Sequence, residues 1–207
     1  RLALIPTVGP YLLPHVVRRL KRELPRLKLM LYEHQTAPLL EKLRAGEIDM
    51  GILALPVPLD GLEAETLYDE AFTLAVPAGH RLADQERVRV DDLKGETLLL
   101  LEDGHCLRDQ ALEVCSRIRV QEEQDYRATS LETLRQMVAA GHGVTLMPQL
   151  AAESPVGGAR GMRTKAFVRP APTRTIGAVW RKSTTRAQAI AATVNTIRAA
   201  MKEESKR

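Results

Sequence analysis

Strand and helix signals alternate along the first 55 residues, and this alternation constrains the fold more than any other feature of the sequence. Leu2-Ala3-Leu4-Ile5 is a short apolar run that reads as a strand, and Pro6-Thr7-Val8-Gly9-Pro10 turns the chain. Pro14 is expected in the first turn of a helix that ends before Pro25, because a proline costs least where its missing N–H has no helical partner. Leu27, Leu29 and Leu31 alternate with other residues, which marks a second strand. Pro38 opens a second helix carrying Leu39, Leu40 and Leu43, and Gly46 sits just past its end, where a left-handed cap favours glycine. Ile48 to Leu55 reads as a third strand. A βαβαβ order of this kind implies a parallel sheet with helices on both faces.

Pro56-Val57-Pro58-Leu59-Asp60-Gly61 breaks the pattern, and a second α/β set follows. Strands are expected near Phe72 to Val76, Leu98 to Leu101, Gln121 to Ala128 and Val144 to Met147, with helices near Gly104 to Arg117 and Ser130 to Ala140. Ser154 to Arg160 is a loop by composition, and Ile176 to Trp180 is a strand. The last helix carries Ala187, Ile190, Ala191, Val194, Ile197 and Met201 on one stripe. The expected fold is therefore α/β, with two Rossmann-like subdomains that resemble the periplasmic-binding-protein architecture. Residues 1–70 with 176–207 form the first and residues 71–175 the second. In open parallel sheets ligands sit beyond the carboxyl ends of the strands. Thr7 and Thr36 each follow a predicted strand end and so fall near such a crevice, although both also read as turn or helix-capping hydroxyls.

Composition excludes several classes. The chain is 44% hydrophobic and 27% charged, as in ordinary globular proteins, while aromatics make up only 3%, so Leu, Val, Ile and Ala must build the core. No apolar run approaches the ~20 residues of a membrane-spanning helix, and no signal peptide is expected. The first residue is not Met and a strand begins almost at once, so the sequence reads as a piece of a longer polypeptide. The net charge of +4 invites a nucleic-acid reading, but the densest basic stretch (Arg18, Arg19, Lys21, Arg22, Arg26, Lys28) falls mostly on a helix whose other face carries Val16, Val17, Leu20 and Leu24. That is the pattern of a solvated helix face, and no helix-turn-helix or zinc-finger signature accompanies it.

Two cysteines, Cys106 and Cys115, are too few for a secreted disulfide scaffold, which points to the cytoplasm. They form no Cys-x-x-Cys motif, and His15, His34, His80, His105 and His142 show no zinc spacing, so neither a metal nor a cofactor is expected. Asp103 or Gly104 is expected to cap the helix that follows, which puts Cys106 in its first turn, where the macrodipole favours a thiolate. His105 and Arg108 are placed to add positive charge beside the sulfur. The competing reading is a small buried hydrophobe. It is stronger for Cys115, which shares nearby helix faces with Leu107, Ala111 and Val114. If residues 106–115 are helical, nine steps of ~1.5 Å separate the two Cα atoms by ~13.5 Å, on opposite faces. A disulfide needs them within roughly 7 Å, so bridging would require this segment to unwind.

The segment Leu101-Glu102-Asp103-Gly104-His105-Cys106-Leu107-Arg108-Asp109-Gln110-Ala111 resembles the peroxidatic-cysteine segment of the OxyR family, the hydrogen-peroxide-responsive branch of the LysR-type transcriptional regulators. The resemblance continues in Leu4 to Pro14, in Arg127 to Gly141 and in Arg174-Thr175-Ile176-Gly177, and it is thinnest from Ala151 to Arg169. Leu43-Arg44-Ala45-Gly46-Glu47-Ile48-Asp49 looks like the general LysR-type regulatory-domain pattern. The resemblance implies that Cys106 is the peroxidatic and Cys115 the resolving cysteine. It also implies that Thr7, Thr36, His105, Arg108 and Arg174 surround the peroxide. Thr129 matches as well, although Thr129-x-x-Glu132 is also a capping box for the next helix. The implied partners are hydrogen peroxide, a second regulatory domain in a homodimer and a tetramer at full length. Promoter DNA, RNA polymerase and a cellular dithiol reductant complete the set.

Three rival classes make different demands. A LysR-type domain that binds a small organic effector would carry Cys106 merely packed in the cleft. A thiol peroxidase would turn peroxide over, but such enzymes resemble thioredoxin, which this element order does not. A nucleotide-binding enzyme would need a third glycine after Gly141-His142-Gly143, where Leu146 stands, and a helix to follow rather than a strand.

Overall fold

The structure is a computed structural model that describes residues 1–118, 120–154 and 160–204, the side chains of 124–126 excepted. Two compact units divide it: Arg1–Asp69 with Thr175–Arg207, and Glu70–Arg174. The chain crosses from the first to the second within strand β4 (Leu62–Pro77) and returns within strand β10 (Thr173–Arg181).

In the first unit β1 (Leu2–Leu4) lies parallel to both β2 (Leu31–Glu33) and β3 (Met50–Leu55), with Leu2 opposite Leu31 on one side and Met50 on the other. Strand β10 runs antiparallel to β3, Thr175 facing Leu55. Helix α1 (Gly9–Glu23) connects β1 to β2, and α2 (Thr36–Ala45) connects β2 to β3. The closing helix α6 (Ala187–Glu204) packs on α1. Its buried face carries Ile190, Val194, Ile197 and Met201 from the expected stripe, joined by Thr193, Thr196 and Ala200, while Ala187 and Ala191 are exposed. Helix α2 ends as expected on Gly46, at φ 80°, a left-handed conformation that costs a glycine nothing.

Two expectations about this unit are corrected. Pro14 lies inside α1, because the helix begins at Gly9 with Pro10 in its first turn. The earlier start buries Tyr11 and Leu12, worth about 1.5–3 kcal/mol each, which offsets the hydrogen bond Pro14 cannot donate. The second strand is Leu31–Glu33 and excludes Leu27 and Leu29. These two leucines line a small hollow with Leu2, Met50, Ala189 and Ile190, so their alternation records packing rather than a strand ladder.

In the second unit β6 (Thr97–Leu101) and β7 (Gln121–Ala128) are parallel and joined through α3 (Cys106–Cys115), a βαβ unit. Helix α4 (Leu131–Ala139) packs against β6 and β7. Strands β8 (Thr145–Pro148) and β9 (Met162–Phe167) each run antiparallel to β4, and β5 (Arg87–Val88) joins β9 in parallel. A short helix, α5 (Gln149–Glu153), follows β8. The core here is aliphatic, built on Leu98 to Leu101, Leu107, Ala111, Leu134, Val138, Leu146 and Met147, with Phe72 and Phe167. Of the loop expected at Ser154 to Arg160, residues 155–159 lie outside the described residues. Among the described residues no helix is long and apolar enough to cross a membrane.

Candidate functional site

The approach to Cys106 is set by how β6 hands over to α3. Beyond Leu101, the Glu102 amide donates to the Ala128 carbonyl at 3.0 Å and so still follows β7. The chain then turns through Gly104, at φ 95°, a conformation strained for any residue with a side chain. His105 is extended (φ −91°, ψ 115°) and is the N-cap, with Cys106 the first helical residue. The expectation that Asp103 or Gly104 caps α3 is therefore corrected: no side chain caps this helix. Asp103 is engaged elsewhere, its carboxylate accepting from Arg108 Nε and from Arg127 Nη1, each at 2.9 Å.

Arg108 also lies 2.7 Å from Glu122 Oε1 through Nη1, and Arg127 Nη2 lies 3.8 Å from the same oxygen. The two arginines and two carboxylates thus tie the turn before α3, the first turn of α3 and strand β7 together. Glu122, and after it Asp103, holds the Arg108 guanidinium pKa above its ordinary value. The positive charge expected beside the sulfur is accordingly balanced by two carboxylates. His105 is buried at 5% exposure, its Nε2 3.9 Å from Glu102 Oε1.

The two cysteines occupy opposite ends of α3, and both are free thiols. Cys106, half-buried, stands at the N-terminus, where the first helical amides have no intrahelical acceptor. Cys115 is the last helical residue and is only 2% exposed, on the same buried face as Leu107 and Ala111. Burial pushes its thiol up to about 11. Nine helical steps put ~13.5 Å between the two Cα atoms, about twice the separation a disulfide permits.

In the first unit Thr7 and Thr36 sit just beyond the carboxyl ends of the neighbouring parallel strands β1 and β2. Thr7 is buried in the turn before α1. Neither threonine is an N-cap: Val8 holds that position for α1 and Gln35 for α2. Thr36 is the first residue of α2, and its buried hydroxyl has no hydrogen-bond partner among the described residues.

In the second unit Thr129 is exposed and does not begin a capping box. The N-cap of α4 is Ser130, whose Oγ accepts from the Thr133 amide at 3.2 Å. Ser130 holds the extended backbone (φ −144°, ψ 156°) that an N-cap requires, which shifts the cap one residue beyond the expected one. Arg174, near the start of β10, is buried against Glu70. Sequence reasoning missed Glu70, although a carboxylate in an apolar strand needs a buried cation and could have been sought on that ground. The structure therefore brings His105, Cys106 and Arg108 together on one helical turn and sets Cys115 at the far end of that helix. Arg174 and Thr129 are carried by other elements of the same unit. Among the described residues no group of three His, Cys, Asp or Glu could hold a metal ion.

Comparison with known proteins places this arrangement. The family model of the LysR substrate binding domain matches residues 1–202. The DNA-binding transcriptional dual regulator OxyR of Escherichia coli is 48% identical over 180 residues, which is 87% of this chain and 59% of that protein. The chain thus spans about three-fifths of the length of the curated relatives it matches. Crystal structures of the oxidized and the reduced form of OxyR each superpose with a TM-score of 0.86 at 44% identity, covering 97% of this chain and 94% of theirs. A cysteine variant of Corynebacterium glutamicum OxyR, H2O2-bound, gives a TM-score of 0.87 at 34% identity, covering 98% of this chain and 64% of that one. The chain therefore belongs to the LysR substrate-binding domain family and, within it, to the regulatory domains of OxyR.

Proposed function

We propose that this domain is the hydrogen-peroxide sensor of a LysR-type transcription factor, with Cys106 as the peroxidatic and Cys115 as the resolving cysteine. One observation carries the reading: the two cysteines are both free thiols at opposite ends of a single ten-residue helix. They sit in a chain 44% identical to a protein that has been solved in oxidized and reduced forms. A relative solved with H2O2 bound supports peroxide as the ligand.

The chemistry runs in two balanced steps. Cys106 thiolate attacks one peroxide oxygen, the O–O bond breaks, and hydroxide leaves as Cys106 becomes a sulfenic acid. The Cys115 sulfur then attacks the sulfenic sulfur, the disulfide forms and water departs. Thr7, Thr36, His105, Arg108, Thr129 and Arg174 surround the peroxide. Among them the hydroxyls and Arg174 orient it and stabilise the oxygen that leaves. Closing the disulfide unwinds α3, remodels the domain and shifts how two regulatory domains pack in the dimer. In the full-length tetramer that change alters the grip on promoter DNA and the contact with RNA polymerase. A cytoplasmic dithiol reductant resets the switch, so each peroxide is read once per cycle and not turned over as by an enzyme.

Thiol mass spectrometry after one equivalent of peroxide tests this. The wild type should lose two hydrogens, Cys115→Ser should gain one oxygen, and Cys106→Ser should stay unchanged. Identical behaviour of the two single variants would sink the assignment. A domain that instead binds small organic acids tightly while its thiols stay reduced would support the effector-binding alternative.

A further inference from the structure

Glu70 is a charged side chain in an apolar setting, 3% exposed, on β4 two residues before the buried Phe72. Both of its oxygens are used. Oε2 accepts from Arg174 Nε at 2.8 Å and lies 2.7 Å from Arg174 Nη2, so one oxygen grips a whole edge of the guanidinium. Oε1 accepts from the Leu150 amide at 3.0 Å, in the first turn of α5, where helical amides lack intrahelical partners. The carboxylate is therefore fixed from two sides, by β10 and by the junction of β8 with α5. Arg174 is equally enclosed, its side chain 1% exposed. An arginine held along its Nε–Nη2 edge has the plane of its guanidinium set by that grip.

The neighbouring carboxylate shows that the arrangement is specific to Glu70. Asp69 precedes it on the same strand and bonds Thr175, the neighbour of Arg174, at 2.6 Å, but that pair is exposed. Adjacent residues on β4 thus hold adjacent residues on β10, one pair in solvent and one in the interior.

We infer that Glu70 is a positioning residue for the peroxide step: it aims Arg174 at the peroxide without touching the peroxide itself. This rests on the reading of Arg174 as a peroxide-orienting group. Glu70 holds the guanidinium plane before peroxide arrives, so the step does not wait for a long side chain to find its rotamer.

The test compares two reactions of Cys106 in the intact domain, oxidation by hydrogen peroxide and alkylation by iodoacetamide, both followed by rapid-quench mass spectrometry. Only the first needs an aimed arginine. Arg174→Gln should slow peroxide oxidation by about 10- to 100-fold and leave alkylation within about twofold. Glu70→Gln should do the same, and adding it to Arg174→Gln should slow peroxide no further, because the arginine it aims is gone. Glu70→Asp keeps the charge but draws the oxygen back, and should give an intermediate loss. Asp69→Asn should leave both rates unchanged. If Glu70→Gln fails to fold, as judged by its melting transition, Glu70→Asp and the double variant, which removes both buried charges together, decide the question. A wild-type peroxide rate in a folded Glu70 variant, beside a slow Arg174→Gln, overturns the positioning role. Equal slowing of oxidation and alkylation also overturns it, since the effect would then lie in the thiol or the fold. If Arg174→Gln itself keeps the wild-type peroxide rate, the peroxide-site reading fails instead.

Discussion

Cys106 and Cys115 are the first and last residues of one continuous helix, one half-buried at its N-terminus and the other sealed in the core at its C-terminus. Such a helix cannot contain a bond between its ends, so a disulfide between Cys106 and Cys115 requires the helix to open. Oxidation should raise amide exchange across residues 106–115 while the flanking strands β6 and β7 keep their protection. Hydrogen-exchange mass spectrometry on reduced and peroxide-treated protein reads this directly. Unchanged protection of α3 in fully disulfide-bonded protein would refute the refolding switch.

The ion-pair group at the start of α3 opposes that refolding. Arg108 and Arg127 share Asp103 and Glu122, and with the Arg108 side chain 11% exposed and that of Glu122 25% exposed, the group is partly shielded from water. Each such pair contributes up to ~1 kcal/mol, or about fivefold in an equilibrium constant. Glu122→Gln should therefore speed disulfide closure after sulfenic acid formation by several-fold. Stopped-flow separation of the two phases checks it, and a slower closure would contradict the latch.

Cys115 carries a pH signature. Its thiol sits at about 11 in the folded chain, against ~8.5 when unfolded, because burial disfavours the thiolate. Between these values the unfolded state has lost a proton that the folded state keeps. The stability this group contributes is thus fully present below pH ~8.5 and is lost as pH rises toward 11, by an amount on the order of 3 kcal/mol. Denaturant titrations of reduced wild type and Cys115→Ala should show wild type losing more stability across that interval. Parallel pH profiles would show that Cys115 titrates alike in both states.

The cap of α4 gives a local test. Ser130 accepts from the Thr133 amide, whereas Thr129 is exposed and caps nothing. Ser130→Ala should cost about 1 kcal/mol of stability and Thr129→Ala less than about 0.5 kcal/mol. The reverse order would restore the box that the sequence suggests.

What the sequence made legible followed from short-range chemistry. Thr7 and Thr36 could be set beyond strand ends because the βαβαβ order dictates where parallel strands finish, and β1 to β3 pair as that order requires. Strand β9 was hidden because only Phe167 among its six residues is buried, so no apolar alternation marks it. The grip of Glu70 on Arg174 spans 104 residues, and no local pattern announces a partner so distant. The turn before α3 misled for a different reason. Asp103 is a good capping residue by type, yet two arginines claim its carboxylate once β7 is brought alongside, and the helix starts uncapped. The roles of the cysteines came from family resemblance, since spacing alone says only that they cannot bond within a helix.

Thr36 offers a test in which stability and function move in opposite directions. Its hydroxyl is buried at the start of α2 and makes no hydrogen bond among the described residues, an arrangement that costs about 1–3 kcal/mol relative to a satisfied group. A purely structural threonine would not be kept in that position by its hydroxyl, because valine has the same shape and no polar atom to strand. Thr36→Val should therefore leave the domain as stable as wild type or raise its stability by about 1 kcal/mol. If the hydroxyl serves the peroxide, the same variant should slow oxidation of Cys106 by about tenfold or more, because the group that orients the attacked oxygen is gone. Denaturant midpoints and peroxide rates measured on one preparation decide between the two roles. A less stable variant with an unchanged peroxide rate would make Thr36 a structural residue and remove it from the proposed site.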